Sequence, residues 1–509
     1  STHWDREWYQ TFQDYRYRLV QLLDRVIAAL EDGRLRGPFQ TDGQAIILDD
    51  YLEVRPERRA QVEALVRDGR MAVGPWYVLP DEFLVSGESL VRNLRLGREV
   101  ARAYGGTPSN AGFVCDIFGH NSQLPQILAG FGIGGGFIWR GTNTAGERNV
   151  LWRGADGTEL PCYRFGDMGY CTYAAGVRGA RNHAETPDPA VIRARLAQTL
   201  EYEAERSRVD PILLFDGCDH QEWDEAAYAA VAERLGQAGE DGIEIVHTTL
   251  DVYLEEMLAQ RERIETVLEG ELREPARHPV SEDNQWLIPG VLSSRVWIKQ
   301  WNARCQTLLC HWAEPLTAIA EGLAGLPDAR GYLDVAWRWL LKNHPHDSIC
   351  GCSIDQVHED MKFRFSQCEG IAERLTVGAT RALAAAVAGE IGEDALRICV
   401  FNPLPTPHEG TAEITVLRFD PETRRITDYR LRQPDQKRRS VEAFQSLRYK
   451  VVAAGDSYND IAMLMQATQR VLYRPPANVC ADFPDIPAVR AYDELLRHVH
   501  AFVRANHSA

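Results

Sequence analysis

Long apolar runs are missing from this sequence. None approaches the roughly 18 residues that a membrane-spanning helix requires, and no basic segment followed by an apolar stretch indicates a secretory leader. Positive charge is also scarce, because 56 basic side chains stand against 73 acidic ones and leave a net charge of −17. Nucleic acid and anionic membranes are therefore poor partners. We expect a cytoplasmic protein that acts on a small neutral or polyhydroxy molecule.

Paired cysteine motifs are lacking as well. The 11 cysteines include no CxxC…CxxC spacing that would build a zinc knuckle or a disulfide framework. Cys350 and Cys352 form a CxC, for which we expect a reduced pair in a loop. The chain begins at Ser1 rather than at a methionine, close to a candidate site, so a fragment or a processed protein is expected.

The composition that is present is that of an ordinary globular protein. Hydrophobic residues make up 45% and charged residues 25% of the 509 positions, a balance that gives no sign of disorder. A chain of this length is too long for one hydrophobic core, and roughly two to four domains are expected.

Residues 1–262 alternate short apolar segments with longer amphipathic ones. The apolar segments include AIILDD, NAGFVCD, GGGFIWRG and DPILLFDG. Strands that alternate with helices predict a mainly parallel sheet or barrel with helices packed outside. Reactive groups in such folds lie where strands end. Asp116, Arg140, Asp216 and Asp219 each follow one of these segments.

The pattern changes twice further along the chain. Apolar residues three and four apart fill long stretches of 263–395 and predict a three-helix bundle. Residues 396–418 predict the start of a β domain, with an alternating AEITV after a proline-rich loop. Over 419–509 we expect a hairpin in RFDPETRRITDYRLRQ, then a helix, the strand YKVVAAG and another helix.

His3 and Asp5 form a His-x-Asp pair in the opening STHWDREWYQ. Such a pair is weak by itself, because two-residue matches are common. Three more positions strengthen it: Asp116 in CDIFGHNSQLPQ, Asp219 in FDGCDHQEWD and His346 in NHPHDSICG. With FQTDGQAIILDDYLEVRPE, GPWYVLPDEFLVSGESLVRNL and SSRVWIKQWNA in the same order, these motifs resemble the bacterial α-mannosidases of glycoside hydrolase family 38.

The resemblance implies a role for each of these polar residues. His3, Asp5, Asp116 and His346 would hold a metal, and two imidazoles with two carboxylates suit Zn²⁺, with Co²⁺ or Mn²⁺ as alternatives. Asp116 would also be the nucleophile of a retaining double displacement, and Asp219 the general acid/base. A metal-bound carboxylate stays ionised at neutral pH, as a nucleophile must.

Neighbouring side chains are candidates for substrate binding and for orienting the metal ligands. Trp8 and Phe118 match family positions that present an apolar face to the sugar, although core packing is the ordinary role of an aromatic ring. Arg140 is expected to pair with an active-site carboxylate or with a structural partner elsewhere. The polar neighbours expected to orient ligands are His120, His220, His344, Asp216 and Asp347.

The stretch KVVAAGDSYNDIAMLMQA carries a second kind of motif. GDSYND resembles the fourth motif of haloacid-dehalogenase-type phosphatases, and residues from about 420 to 509 are similar to the C-terminal part of bifunctional phosphoserine phosphatase/homoserine phosphotransferases. By that resemblance Asp456 would coordinate Mg²⁺, Asp460 would support it, and Lys437 would neutralise the phosphoryl group. Those enzymes attack with the first aspartate of a D-x-D motif, which this chain lacks. We therefore interpret the motif as vestigial.

The sequence thus predicts an α/β protein in four parts. They are a distorted parallel β/α barrel over 1–262, a three-helix bundle over 263–395, the start of a β domain over 396–418, and a partial Rossmann-like haloacid-dehalogenase segment over 419–509. A junction near 416–425, from gene fusion or joined fragments, separates the two resemblances.

The resemblance to the α-mannosidases implies a zinc-dependent retaining α-mannosidase with a carbohydrate substrate. The alternatives are a catalytically impaired sugar-binding remnant and, less favoured, a Mg²⁺-dependent phosphatase or phosphotransferase. Homo-oligomer formation is left open.

Overall fold

The chain divides into two compact units, Ser1–Pro403 and Leu404–Ala509. The computed structural model describes residues 1–143, 145–179, 188–238, 242–275, 286–387, 398–402, 406–407, 413–420, 425–432, 436–446 and 448–506. No helix within these ranges is both long enough and apolar enough to cross a lipid bilayer.

The strands of the first unit form two sheets. They are β1 (Phe39–Gln40), β2 (Met71–Ala72), β3 (Ala111–Phe113), β4 (Gly135–Ile138), β5 (Asn149–Arg153), β6 (Glu159–Arg164) and β7 (Val267–Glu269). β1 and β2 pair in parallel, and the others lie in the order β3-β4-β6-β5-β7, with β5 and β6 antiparallel and the other pairs parallel. The α/β class with a parallel-rich sheet is confirmed. A closed barrel stays a prediction, because the two sheets are not joined in the described residues.

Helices precede, separate and follow these strands along the chain. They are α1 (Phe12–Glu31), α2 (Ile46–Val54), α3 (Arg59–Arg67), α4 (Gly87–Ala103), α5 (Leu124–Gly130), α6 (Pro189–Ala204), α7 (Glu225–Ala232), α8 (Leu250–Leu258), α9 (Val296–Thr307), α10 (Glu314–Ala324), α11 (Arg330–Leu341), α12 (His346–Cys350) and α13 (Asp355–Ala386). α1 begins at a capping box in which the Thr11 side chain accepts from the Asp14 amide, and its buried face includes Leu19, Leu23 and Leu30.

Two of the four predicted strands differ in the structure. NAGFVCD and GGGFIWRG contain β3 and β4, but AIILDD opens helix α2. A short apolar run cannot distinguish a buried strand from a buried helix, and here Ile46, Ile47, Leu48, Tyr51 and Leu52 form a buried helical face. DPILLFDG runs through half-buried positions without forming a strand.

The helical region predicted after the sheet is present. α9 continues through a π-helical turn, Leu308–Ala313, into α10, and α9, α10 and α11 all pack against the 32-residue α13. Ile298, Leu340 and Phe365 are fully buried between them. The predicted repeat of apolar positions therefore corresponds to an internal packing face.

A buried ion pair ties the N-terminal segment to this helical region. Arg364 of α13 donates from Nη2 to both carboxylate oxygens of Glu7, at 2.7 Å each, and from Nη1 to the Lys342 carbonyl at 2.6 Å. Ser348 Oγ donates to Glu7 Oε1 at 2.7 Å. Glu7 lies between the proposed ligands His3 and Asp5 and helix α1, so this network anchors the start of the chain.

Replacing Arg364 with methionine is expected to lower the free energy of unfolding by about 3–5 kcal/mol, because Glu7 would keep a buried charge without its partner. Arg304→Met is the matched control. Arg304 pairs with Glu369 and Glu373 from a side chain that is 61% exposed, and exposed pairs contribute about 0–1 kcal/mol. Urea unfolding followed by tryptophan fluorescence measures both values, and equal losses in the two variants would contradict the anchoring role.

The second unit contains a hairpin and a small α/β segment. Its elements are β8 (Glu413–Asp420), β9 (Arg425–Arg432), α14 (Gln436–Ser446), β10 (Val452–Gly455), α15 (Ile461–Gln466), β11 (Gln469–Tyr473), α16 (Ala477–Asp482), β12 (Ala488–Val489) and α17 (Tyr492–Asn506). β8 and β9 pair antiparallel, as the predicted hairpin requires. β8 begins at Glu413, however, so most of AEITV, predicted as the start of a separate β domain, pairs within this hairpin. β10, β11 and β12 form a parallel sheet in that order.

Candidate active site

The four residues predicted as metal ligands converge on one buried point. His3 Nε2 lies 3.1 Å from Asp5 Oδ1 and 3.7 Å from Asp116 Oδ2. His346 Nε2 lies 3.2 Å and 3.6 Å from the same two oxygens. The first two residues precede α1, Asp116 follows β3, and His346 opens α12, so the site joins the start of the chain, the sheet and the helical region.

Both histidine rings are oriented with Nε2 toward this point. His3 Nδ1 lies 2.9 Å from Asp42 Oδ2, and His346 Nδ1 lies 3.4 Å from the Leu79 carbonyl. Because those partners only accept hydrogen bonds, the ring proton belongs on Nδ1 and the Nε2 lone pair is left free. Both Nε2 atoms are buried without a hydrogen-bond partner. Two such nitrogens facing two carboxylate oxygens fit a divalent transition metal.

The electrostatics of the site also fit a cation. Burial lowers the pKa of His3, but Asp42 and Asp5 are among the groups that raise it well above its ordinary value. Burial likewise lowers the pKa of His346, and Asp347 leads the carboxylates that raise it. The carboxylates therefore outweigh desolvation and attract positive charge, which protons or a metal ion can supply.

Asp116 is held as an ionised carboxylate. Arg140 donates to its Oδ1 from Nε at 2.9 Å and from Nη2 at 2.5 Å, while Oδ2 faces the two histidines. Burial would raise the pKa of Asp116, but Arg140 and His346 lower it well below its usual range. Of the two partners left open for Arg140, the structure selects the active-site carboxylate.

Asp219 has the opposite electrostatic environment. Its Oδ1 accepts a hydrogen bond from the Tyr170 hydroxyl at 2.6 Å. Burial raises the pKa of Asp219, and the negative charge of Asp116 raises it further, while His3 opposes this. A carboxyl whose protonated form is favoured beside an ionised one is the arrangement of an acid and a nucleophile.

The two aromatic candidates lie at different depths. Phe118 is buried with its ring edge-on to the His346 ring at 5.7 Å, and the Arg140 guanidinium lies 5.5 Å from the Phe118 centroid. Trp8 stacks on Tyr9 at 3.9 Å and is half-buried. Phe118 therefore borders the ligand cluster, while sugar binding by Trp8 stays a prediction.

Two of the five polar neighbours contact the ligands. His220 Nε2 lies 3.0 Å from Asp5 Oδ2, and Asp347 Oδ2 lies 3.8 Å from His346 Nε2. The others pair elsewhere, His120 with Glu82, His344 with Asn302 and Asp216 with Arg178. The orienting role predicted for these three is corrected, because side chains of residues adjacent in sequence point in different directions.

Sequence reasoning missed Asp42 and Tyr170. Asp42 Oδ2 accepts from the Trp4 amide and the Gln44 side chain, both at 2.9 Å, besides contacting His3. Its φ of 53° is in the left-handed region, which Asp tolerates better than most residues. An Asp-Gly turn inside the motif FQTDGQ was a usable signal for Asp42. Nothing in the sequence distinguishes Tyr170 from the other tyrosines.

The described residues contain one disulfide that the cysteine spacing did not indicate. Cys171 and Cys218, 47 positions apart, are joined by a disulfide. No spacing motif could indicate this, because the fold alone brings the two segments together. Cys350 and Cys352 are free, as predicted. Cys350, however, is the last residue of helix α12 and does not lie in a loop.

Changing Asp42 to asparagine is expected to weaken metal affinity by about 10–100-fold, because the carboxylate that orients His3 and increases its basicity would be lost. Asp251→Asn is the control, since Asp251 also accepts from a side chain and a backbone amide, those of Ser109 and Asn110. Competition with a chromophoric chelator measures both affinities. An unchanged affinity in Asp42→Asn would contradict the orienting role.

The C-terminal motif is arranged around Asp460. One oxygen pairs with Lys437, and Oδ2 accepts from the Asp456 amide at 3.0 Å and from Ser457 N and Oγ at 3.3 and 3.1 Å. Burial would raise the pKa of Asp460, but Lys437 lowers it. The carboxylate thus caps the turn after β10, and its support of a Mg²⁺ ion stays a prediction.

Comparison with known proteins agrees with these observations. The model of the "Glycosyl hydrolases family 38 N-terminal domain" matches residues 1–271, and that of the "Alpha mannosidase middle domain" matches 287–383. An α-mannosidase structure from Enterococcus faecalis V583 aligns with a TM-score of 0.66 and 33% identity, covering 75% of this chain and 42% of that one. A Halalkalibacterium halodurans protein provisionally named mannosylglycerate hydrolase is 34% identical over 384 residues, which are 72% of this chain and 40% of that protein.

The C-terminal segment has relatives of another kind. A phosphoserine phosphatase from Pseudomonas syringae is 49% identical over 85 residues, 17% of this chain and 35% of that enzyme. The chain thus spans about 40% of the first relative and about a third of the second. On the match over its first 271 residues and the site just described, this chain belongs to glycoside hydrolase family 38 and carries a C-terminal segment homologous to phosphoserine phosphatases.

Proposed function

We propose that this chain hydrolyses terminal α-mannosidic bonds with retention of configuration and with a divalent metal, Zn²⁺ in the first instance. The observation that carries this proposal is the convergence of two partnerless Nε2 atoms with Asp5 and Asp116. Family membership and the names of the relatives support the substrate class. A distorted β/α barrel is the architecture we propose for this unit, because it would gather the strand ends on one face.

His3, Asp5, Asp116 and His346 would hold the metal. Ligand atoms of three of them, His3, Asp116 and His346, all lie within 4.8 Å of one another. When bound, such an ion supplies Lewis-acid coordination for sugar hydroxyls. Phe118 would cover an apolar face of the ring. Arg140 holds Asp116 Oδ1, and this contact keeps the carboxylate ionised and oriented for attack.

The reaction would take two steps. In the first, a carboxylate oxygen of Asp116 attacks the anomeric carbon, the glycosidic bond breaks, and Asp219 gives its proton to the leaving oxygen. In the second, Asp219 takes a proton from water, whose oxygen attacks the anomeric carbon and releases Asp116. The raised pKa of Asp219 and the lowered pKa of Asp116 match these roles.

The test is an aryl α-mannoside assay of the zinc-loaded chain, with the first-formed sugar anomer followed by NMR. We expect mannose to appear first as the α anomer. The β anomer appearing first would exclude retention, and hydrolysis that a strong chelator leaves unchanged would exclude the metal. About one equivalent of bound zinc without turnover would favour the sugar-binding remnant instead.

Asp219→Asn is expected to reduce kcat/KM for phenyl α-mannoside by about 10²–10⁴-fold, because the leaving oxygen loses its proton donor. The acid form is the active one, so wild-type kcat/KM should fall as pH rises through the raised pKa of Asp219. That basic limb should be absent in the variant. Asp216→Asn, on the same segment but paired with Arg178, is the control. A basic limb that persists in Asp219→Asn would assign the acid to another group.

A further inference from the structure

The disulfide between Cys171 and Cys218 lies directly beside the proposed acid/base. Each cysteine is the chain neighbour of one partner in the hydrogen bond between the Tyr170 hydroxyl and Asp219 Oδ1. The Cα atoms of the two cysteines are 4.6 Å apart. The covalent bond therefore fixes the separation of the two backbone segments that hold this hydrogen bond.

The other contacts of the Asp219 segment are noncovalent. Arg178 Nε lies 3.1 Å from Asp216 Oδ1, and Thr2 Oγ1 donates to the Cys218 carbonyl at 3.0 Å. The preceding residues 211–217 form no strand. The His3 amide donates to the Cys218 carbonyl at 3.1 Å, and the His220 amide donates to the His3 carbonyl at 2.9 Å. Both bonds reach the N-terminal segment. The Tyr170 segment is a 3-10 turn, Gly169–Cys171, that leads into a π-helical turn, Ala174–Arg178. The disulfide is the covalent connection between the 3-10 turn and the Asp219 segment.

We propose that Cys171 and Cys218 are positioning residues that form a reversible redox pair, so that the disulfide state holds Tyr170 against Asp219 and the dithiol state releases it. The catalytic consequence rests on the proposed function. Reduction consumes two equivalents of a small thiol: one thiolate attacks a protein sulfur to form a mixed disulfide, and the second releases it. Two protein thiols and one small-molecule disulfide result, and a disulfide oxidant of the same class reverses the reaction.

The exposure of the two disulfide-bonded cysteines allows this exchange. Cys171 and Cys218 are both partly exposed, whereas Cys115, which also lies close to the site, is fully buried. A small thiol can therefore reach the disulfide beside Asp219.

The consequence should depend on the leaving group. Proton donation requires hydrogen-bond distance to the leaving oxygen, and a displacement of about 1 Å can cost about 10²-fold in rate. A phenyl leaving group needs the proton, whereas a dinitrophenyl group leaves without it. Because kcat/KM reports the first step, reduction should lower it for the phenyl mannoside and leave it unchanged for the dinitrophenyl mannoside.

The experiment compares four zinc-loaded forms of the full chain: oxidised wild type, wild type reduced with a phosphine that is then removed, Cys171→Ser, and the control Cys310→Ser. Cys310 is a partly exposed free cysteine of the helical region. Zinc content is measured in each, and alkylation followed by mass spectrometry reports the thiols. We expect Cys171 and Cys218 to resist alkylation until reduction. In the reduced and Cys171→Ser forms, kcat/KM for phenyl α-mannoside should fall about tenfold or more.

A second readout does not require turnover. Hydrogen exchange at the His220 amide should accelerate on reduction, because its segment loses a covalent restraint. Faster exchange without turnover in any form would refute the proposed function and leave the positioning role standing. Alkylation of both cysteines in the oxidised protein, equal losses on the two substrates, or unchanged exchange would each overturn the inference. If Cys171→Ser does not fold, the reduced wild type supplies the same comparison.

Discussion

Replacing Asp116 with asparagine is expected to lower kcat/KM for an aryl α-mannoside by about 10⁴-fold or more, the order of loss seen when a nucleophile is removed. The neutral amide cannot form the glycosyl-enzyme bond. The substitution also replaces the carboxylate oxygen that faces His3 and His346, and it removes the carboxylate that Arg140 contacts. One substitution would therefore remove the attacking group and disturb the ligand set.

A metal assay separates these effects. We expect Asp116→Asn to bind zinc more weakly, and full loading at high zinc should not restore turnover. The control is Asp49→Asn, because Asp49 also accepts from a hydroxyl and an arginine, Tyr104 and Arg338, outside the ligand cluster. Turnover of zinc-loaded Asp116→Asn at the wild-type rate would contradict its assignment as nucleophile.

Removal of the metal is expected to have the second large effect, on both activity and stability. Chelation should abolish α-mannoside hydrolysis and lower the free energy of unfolding by about 4 kcal/mol for a metal present at 1,000 times its Kd. The physical reason is that the site joins the N-terminal segment, the loop after β3 and helix α12. Without a cation, the negative charges of Asp5 and Asp116 also oppose ionisation of their neighbours Asp347 and Asp219.

Thermal unfolding with and without chelator, together with metal analysis, measures this effect. His346→Ala should match the chelated wild type in both activity and stability, and added chelator should change it little. His344→Ala is the control: it is also a buried histidine, but it pairs with Asn302, so the variant should keep one metal per chain despite some loss of stability. Equal metal loss in both variants would contradict the ligand assignment.

Sequence reasoning was most specific where chemistry restricts the residue type. A metal site needs imidazole and carboxylate donors, and few residue types offer them, so His3, Asp5, Asp116 and His346 stand out by identity and motif. Apolar spacing likewise predicted α9, α10, α11 and α13, because long helices repeat their pattern many times. AIILDD was wrong because six residues contain too few repeats to separate a helix from a strand.

Contacts between distant segments were not accessible from the sequence. His120 and His344 were expected near the ligands and pair instead with Glu82 and Asn302. Asp42 forms a hydrogen bond with His3, 39 positions away in the sequence. Tyr170 forms one with Asp219, which is 49 positions away. Such contacts depend on the direction of each side chain after folding, which adjacency in sequence does not specify.

The sequence by itself determined the family, and it predicted the donor set of a metal site, the two carboxylates and a vestigial C-terminal motif. These conclusions rest on residue type and order, which do not depend on how the chain folds. Only the tertiary structure decided the protonation environment of Asp116 and Asp219, the orientation of His3 by Asp42, and the disulfide beside the acid/base. Each of these depends on burial and on distances of a few ångströms, which exist only after the segments have packed together.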